Sequence, residues 1–204
     1  IYDSFIGRAD IYSAFAGYYF RKGERLRKLI HAFKYYGRAD VAFLLGKQLG
    51  NMMKKAEWHK DYDFLVPIPL HRKKMKFRGY NQAEMIARGI SSVIGLPIIN
   101  DVLIRVKEGV SQTKKTYAQR WTELQGTYEN INTEKYIGAR MILVDDVLTT
   151  GATIEVCSNL LNKIPMTRVG VVTLGAIDRY KCFTWNKTYQ YADDDILDWL
   201  FADL

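Results

Sequence analysis

One stretch constrains this chain more than any other: Met141-Ile142-Leu143-Val144-Asp145-Asp146-Val147-Leu148-Thr149-Thr150-Gly151-Ala152-Thr153. Four apolar residues run into two adjacent carboxylates, and a hydroxyl-rich turn with one glycine leads on to a segment able to form a helix. The apolar run reads as a buried strand of a parallel sheet. Residues 149–153 read as a loop feeding a helix N-terminus, where free backbone N–H groups and the positive end of the dipole favour an anion. Adjacent carboxylates are costly unless solvated, hydrogen-bonded or matched by cations. The plain alternative is a solvated turn or a helix-cap pair. The position after a four-residue apolar strand and before a Thr/Gly loop favours sugar hydroxyls or a phosphate-bound metal instead. On physical grounds the stretch suits a phosphorylated sugar. It has neither the Gly-Lys-Ser/Thr triplet of a Walker A loop nor the glycines of a dinucleotide fingerprint.

The remaining segments supply the elements around it. Residues 1–20 alternate aromatic and small types and read as a short strand or hairpin. Residues 24–36 place Leu26, Leu29, Ile30 and Phe33 at helical spacing, with Gly37 as a stop, and a second helix is expected over 39–53. These read as two packing helices, with His31 a structural histidine beside the apolar face. Residues 64–69 form a short strand that Pro67 and Pro69 cut off. A basic segment then hands over at Asn81-Gln82-Ala83-Glu84 to a helix broken by Gly95 and Pro97, with a short strand over 97–99. Residues 105–125 are polar and basic, and read as a mobile surface loop with a helix over 117–124. A helix over 152–163 and a buried strand over 169–176 follow. Strands separated by helices imply an α/β architecture. The expected division is an N-terminal helical or hood region over 1–55, an α/β core over 56–178 and a C-terminal extension over 179–204.

Charge narrows the partner. The net charge of +8 fits a phosphate-bearing molecule, polymer or small. Much of it falls in Arg72, Lys73, Lys74, Lys76 and Arg78, and in Arg105, Lys107, Lys114, Lys115 and Arg120, while Asp193, Asp194, Asp195 and Asp198 make the tail acidic. Cys157 and Cys182 make neither a disulfide framework nor a zinc site. No run of about 18 apolar residues spans a membrane, and the cytoplasm is the default location.

The residues then carry a resemblance. Residues 142–153 resemble the phosphoribosyl-pyrophosphate (PRPP) motif of the type I phosphoribosyltransferases. Pro67-Ile68-Pro69-Leu70-His71 and Arg78-Gly79-Tyr80-Asn81-Gln82-Ala83-Glu84 resemble the ComF (ComFC-like) family within that superfamily, linked to competence and DNA uptake. The similarity extends through Ile30-His31-Ala32-Phe33-Lys34-Tyr35-Tyr36-Gly37 and Ser111-Gln112-Thr113.

The resemblance implies a type I phosphoribosyltransferase-like fold, with a mostly parallel central sheet flanked by helices and a small N-terminal hood. It implies that Asp145 and Asp146 hold the ribose hydroxyls of PRPP with Mg²⁺ nearby, and that Thr149, Thr150, Gly151, Ala152 and Thr153 cradle the 5′-phosphate. Leu70, His71 and Arg72 would meet pyrophosphate, with an unusual peptide geometry there. Arg105, Gln112, Lys114 and Arg120 belong to the loop that would close on the substrate, and Arg78, Gly79, Tyr80, Asn81 and Gln82 form the family motif. The implied reaction is displacement of pyrophosphate at the ribose anomeric carbon by an unidentified acceptor. Purine-salvage members that act on 6-oxopurines carry an acid where this chain has Thr149, and Glu123 departs from an Arg-x-x-Asn pattern near Arg120. ComF-like proteins often begin with a four-cysteine zinc module; its absence here is expected of a trimmed chain or a member lacking it. The alternative on the same scaffold is a non-catalytic accessory of DNA uptake that contacts single-stranded DNA or competence proteins. A homodimer is compatible with either.

Overall fold

In chain order the elements are β1 (Ser13–Phe20), α1 (Arg25–Tyr35), α2 (Ala39–Lys55), β2 (Phe64–Pro67), α3 (Arg72–Arg78), α4 (Gln82–Ile94), β3 (Leu103–Arg105), β4 (Tyr128–Asn130), β5 (Arg140–Leu148), α5 (Ala152–Leu161) and β6 (Arg168–Ile177). The computed structural model describes residues 9–20, 25–107 and 124–177. Expectations for Gln112, Lys114, Arg120, Cys182, the segment 179–204 and nearly all of the helix over 117–124 lie outside them.

Four strands form one parallel sheet in the order β1-β6-β5-β2. This is the α/β fold with a parallel central sheet and flanking helices that the alternation of apolar runs and helical periods implies. Met141, Ile142, Leu143 and Val144 are all fully buried, because both faces of β5 are covered. Ile142 and Val144 join a core with α1, α2 and α4, through Leu29, Phe33, Leu45, Leu49, Ile86 and Ile90. Met141 and Leu143 join a second core on the opposite face, with Ile154, Cys157 and Leu161 of α5 and with Leu103 and Tyr128 of the antiparallel β3–β4 pair. The register of β2 on β5 is pinned at its start. Arg140 donates from Nη2 to Asp63 Oδ1 (2.6 Å) and from its backbone N–H to Oδ2 (2.9 Å), and Asp63 N–H returns a bond to the Arg140 carbonyl (2.7 Å).

The N-terminal residues enter the same body. β1 is a single strand laid parallel on the outer side of β6, from Ser13 opposite Gly170 to Phe20 opposite Ile177. The short strand expected over 97–99 is reduced to one parallel bridge, Leu65 with Ile98, which extends the sheet beyond β2. The basic segment, to which the sequence assigns no element, forms α3. His71 Nδ1 accepts from Lys73 N–H at one end, and Gly79, at φ +80°, lets its N–H close on the Met75 carbonyl at the other. His31 is exposed rather than packed beside the apolar face. Its ring sits 4.5 Å from that of Tyr35 and 5.3 Å from that of Tyr36.

α2 and α4 cross at glycine. A Cβ at Gly89 would overlap the Phe43 carbonyl oxygen and lie 2.6 Å from the Lys47 nitrogen, and a Cβ at Gly46 would overlap the Ile86 carbonyl. Among the described residues no helix is long and apolar enough to cross a membrane.

Candidate functional site

Asp145 and Asp146 do not sit beyond the end of their strand, as the sequence suggests; they lie inside it. β5 pairs with β2 only as far as Val144 opposite Pro67, whereas on its other side it pairs with β6 as far as Leu148 opposite Ala176. The prolines end β2 early, so the two acids emerge along the freed side of β5, at the carboxyl end of the sheet. That is where open α/β sheets bind ligands.

Successive residues of a strand face opposite sides, so the two carboxylates leave β5 in different directions. On the α1 side, Lys34 Nζ lies 2.7 Å from Asp146 Oδ2, with side chains only 23% and 15% exposed. On the α5 side, Asp145 faces the region of buried Cys157, Tyr128 and Arg105. The Arg105 guanidinium lies 5.2 Å from the centre of the Tyr128 ring. Burial and the neighbouring Asp146 push the Asp145 carboxyl up to about 7. The Asp146 N–H, 2.9 Å from Asp145 Oδ1, opposes that rise, as do Lys34 and Arg105. Burial raises the Cys157 thiol, and the Asp145 charge adds to it. That thiol is therefore a packing residue rather than a nucleophile.

The expected phosphate loop is tight. Residues 149–151 form the turn, Gly151 takes φ +80°, and α5 begins at Ala152, so Thr153 is already helical. Gly151 brings no side-chain cap, and the first helical bond runs from Glu155 N–H to the Gly151 carbonyl. The N–H groups of Ala152, Thr153 and Ile154 precede it, which is the arrangement that accepts an anion at a helix N-terminus.

On the side expected to meet pyrophosphate, Ile68 N–H still bonds the Val144 carbonyl at 3.0 Å before the chain turns through Pro69, Leu70 and His71 into α3. The unusual peptide geometry expected here is absent: every described peptide bond is trans. Leu70 lines a cleft of about 200 Å³ with Val66, Pro67, Met75, Asn81 and Leu103, and neither acid lines it. Arg72 is exposed.

The motif Arg78-Gly79-Tyr80-Asn81-Gln82 acts as a junction. Gly79 ends α3, and Asn81 caps α4 by accepting from Ala83 N–H (3.1 Å) while its Nδ2 donates to the Ile68 carbonyl (3.0 Å). Arg78 donates to Gln82 Oε1 (2.8 Å) and lies over the Tyr35 ring, and the Tyr80 hydroxyl donates to the Phe33 carbonyl. The junction therefore ties the end of α1 to the loop after β2. Asn81→Ala removes a helix cap and leaves a buried carbonyl without its donor. It is expected to destabilise the fold by about 2 kcal/mol in chemical denaturation.

Lys34 has no role that spacing assigns. It lies within the segment 30–37 that resembles the family, but nothing in the sequence connects position 34 to position 146.

Among the described residues no three His, Cys, Asp or Glu side chains cluster to hold a metal ion. The donors present are hard carboxylate oxygens. Mg²⁺ is usually bound by one or two carboxylates together with substrate phosphates and water. The acid pair fits Mg²⁺ in that shared manner and offers no all-protein cage.

The phosphoribosyl transferase domain family matches residues 82–186, about half of the chain. Competence protein F of Haemophilus influenzae is 28% identical over 152 residues, covering 72% of this chain and 66% of that protein. Competence protein ComFC of Bacillus subtilis is likewise 28% identical over 152 residues, covering 74% of this chain and 60% of that one. The chain thus spans about three-fifths to two-thirds of the length of these relatives. A solved structure of the allosteric regulatory enzyme of purine biosynthesis superposes with a TM-score of 0.46 at 20% identity, over 70% of this chain and 29% of the other. The chain belongs to the phosphoribosyl transferase domain family, within its ComF (ComFC-like) branch.

Proposed function

We propose that this chain binds PRPP and transfers its phosphoribosyl group to an acceptor nucleophile. The C1′–O bond to pyrophosphate breaks through an oxocarbenium-like state, and a bond to the acceptor forms. The observation that carries this reading is the single run in which the acid pair leaves the end of β2 and passes within a few residues into the uncapped start of α5. Asp145 and Asp146 hold the ribose hydroxyls and orient the anomeric carbon. The turn 149–151 and the first N–H groups of α5 hold the 5′-phosphate, and the segment from Leu70 to Arg72 meets the diphosphate. Mg²⁺, when bound, neutralises charge on the departing diphosphate. The protein supplies orientation, electrostatic matching and exclusion of water.

The test is calorimetry with PRPP and Mg²⁺, followed by a pyrophosphate-release screen across nucleobases and other nucleophiles. Saturable Mg²⁺-dependent binding is expected; its absence overturns the reading.

A second reading, nucleic-acid contact in DNA uptake, is favoured by one surface. His31 meets Tyr35 at a tilt and Tyr36 edge-on, with Arg78 of basic α3 over the Tyr35 ring; Tyr36 is 72% exposed and Phe77 of α3 79% exposed. Exposed aromatics among cations suit unstacked bases. Single-stranded DNA binding that survives Asp145→Asn and Asp146→Asn but falls in Tyr35→Ala and Tyr36→Ala would support it.

A further inference from the structure

The ion pair between α1 and β5 poses a question that PRPP binding makes acute. Asp146 is an acid that the proposed function needs for the sugar, yet Lys34 holds it at 2.7 Å. Both side chains are mostly shielded from water, so neither charge is cheaply left alone. When Asp146 turns to a ribose hydroxyl or to a Mg²⁺ ion shared with the ligand, it is no longer available to Lys34. Lys34 is then left as a half-buried ammonium needing an anion.

Among the described residues no second acid is an ion-pair partner of Lys34. Asp145 feels the Lys34 charge as well, but its side chain leaves β5 toward Cys157 and Tyr128 and is itself required by the sugar. The neighbours of Lys34 on α1 are His31, Tyr35 and Tyr36, which are not acids, and the junction facing them brings Arg78 and Tyr80. The incoming ligand is the natural source of negative charge.

Geometry restricts which part of the ligand this is. The end of α1 is fastened to the α3–α4 junction, through the Tyr80 hydroxyl on the Phe33 carbonyl and Arg78 on Tyr35. That junction also holds the loop after β2, through Asn81 Nδ2 on the Ile68 carbonyl. Lys34 thus projects from a helix anchored to the pyrophosphate side. The 5′-phosphate cradle belongs to Gly151 and α5, whose side chains pack in the core on the other face of the sheet. An ammonium on a flexible four-carbon stem can exchange one oxygen partner for another without backbone movement.

We propose that Lys34 is a diphosphate-contacting residue of this site, held on Asp146 while the site is empty and passed to a diphosphate oxygen when PRPP binds. This rests on the PRPP reading and adds to it a residue from outside the motif. The Lys34 contact also keeps the Asp146 carboxylate aimed for the sugar while the site is empty.

The experiment compares two ligands on the full chain: PRPP with Mg²⁺, and ribose 5-phosphate, which lacks the diphosphate. Each is titrated into the wild type, Lys34→Met and Lys34→Arg. The expected result is that Lys34→Met weakens PRPP roughly tenfold or more, changes ribose 5-phosphate by less than about threefold, and that Lys34→Arg recovers part of the loss. Equal weakening of both ligands would mean that Lys34 only supports the fold or positions Asp146, and would overturn the proposal. So would unchanged PRPP affinity in Lys34→Met. A wild type that binds neither ligand would instead remove the underlying PRPP reading, an outcome separate from either of these.

Discussion

Asp145→Asn is expected to make the protein more stable and to abolish Mg²⁺-dependent PRPP binding. Burial and Asp146 push the Asp145 carboxyl up to about 7 in the folded state, against about 3.9 in an unfolded chain. The folded state therefore keeps the proton over a range in which the unfolded state has lost it. Stability must fall as pH rises from about 4 to about 7, and stay low above that. Asn cannot ionise, so the variant should lack this fall and show its largest gain in Tm at pH 7.5 and above, with little difference at pH 4. The loss of function follows from the same charge. A neutral amide accepts more weakly from ribose hydroxyls and brings no negative charge to a metal ion, so affinity for PRPP should drop by about a hundredfold or more. Thermal unfolding at the two pH values, with calorimetry at pH 7.5, checks both halves. A Tm below wild type at pH 7.5 would refute the strain argument. Retained affinity would refute the site. A residue that is costly to the fold and needed for binding is the expected signature of function.

The backbone of the candidate site was legible where it is local. A four-residue apolar run, two acids and a Thr/Gly turn carry their own geometry in consecutive residues, and β5, the Gly151 turn and α5 follow that order. What the acids do to each other was legible only in part. Sequence indicates that adjacent carboxylates need matching charges, but not that strand alternation sends them to opposite faces or that Lys34 pairs with Asp146. Lys34 and Arg105 reach them from positions more than 35 residues away in the chain, through packing that no spacing rule encodes. The acids also lie inside β5 rather than beyond it, because strand length is set by the neighbours. β2 stops at its prolines, but β6 continues to pair.

Helices α1, α2 and α4 were legible from apolar periodicity, since Leu29, Phe33, Leu45, Leu49, Ile86 and Ile90 recur at helical intervals and are fully buried. α3 was not: Arg72–Arg78 has no buried residue, hence no apolar face to announce it. His31 misled for a related reason. Its place beside Ile30 and Ala32 in sequence suggests burial, but its own position on the helical wheel points outward to Tyr35, one turn further along.

The fold also depends on a feature that periodicity passes over. Gly89→Ala is expected to destabilise the protein by about 3 kcal/mol, although alanine is the better helix former by about 1 kcal/mol. The added methyl would overlap the Phe43 carbonyl oxygen and lie 2.6 Å from the Lys47 nitrogen. These are backbone atoms of α2 and cannot rotate aside as a side chain would. Relief requires the two helices to separate, which opens contacts of Leu45, Leu49, Ile86 and Ile90 throughout the core on that face of the sheet. Gly46 meets the Ile86 carbonyl in the same crossing, so Gly46→Ala should behave similarly. The double variant should cost less than the sum of the two singles, because one separation relieves both overlaps. Gly95 is the useful comparison. It sits at φ +78° with nothing near its absent Cβ, so Gly95→Ala should cost only about 1 kcal/mol, from backbone strain alone. Urea unfolding of the four variants distinguishes the two causes. A Gly89→Ala midpoint no lower than that of Gly95→Ala would mean that the α2–α4 crossing is not held at glycine contact distance in solution.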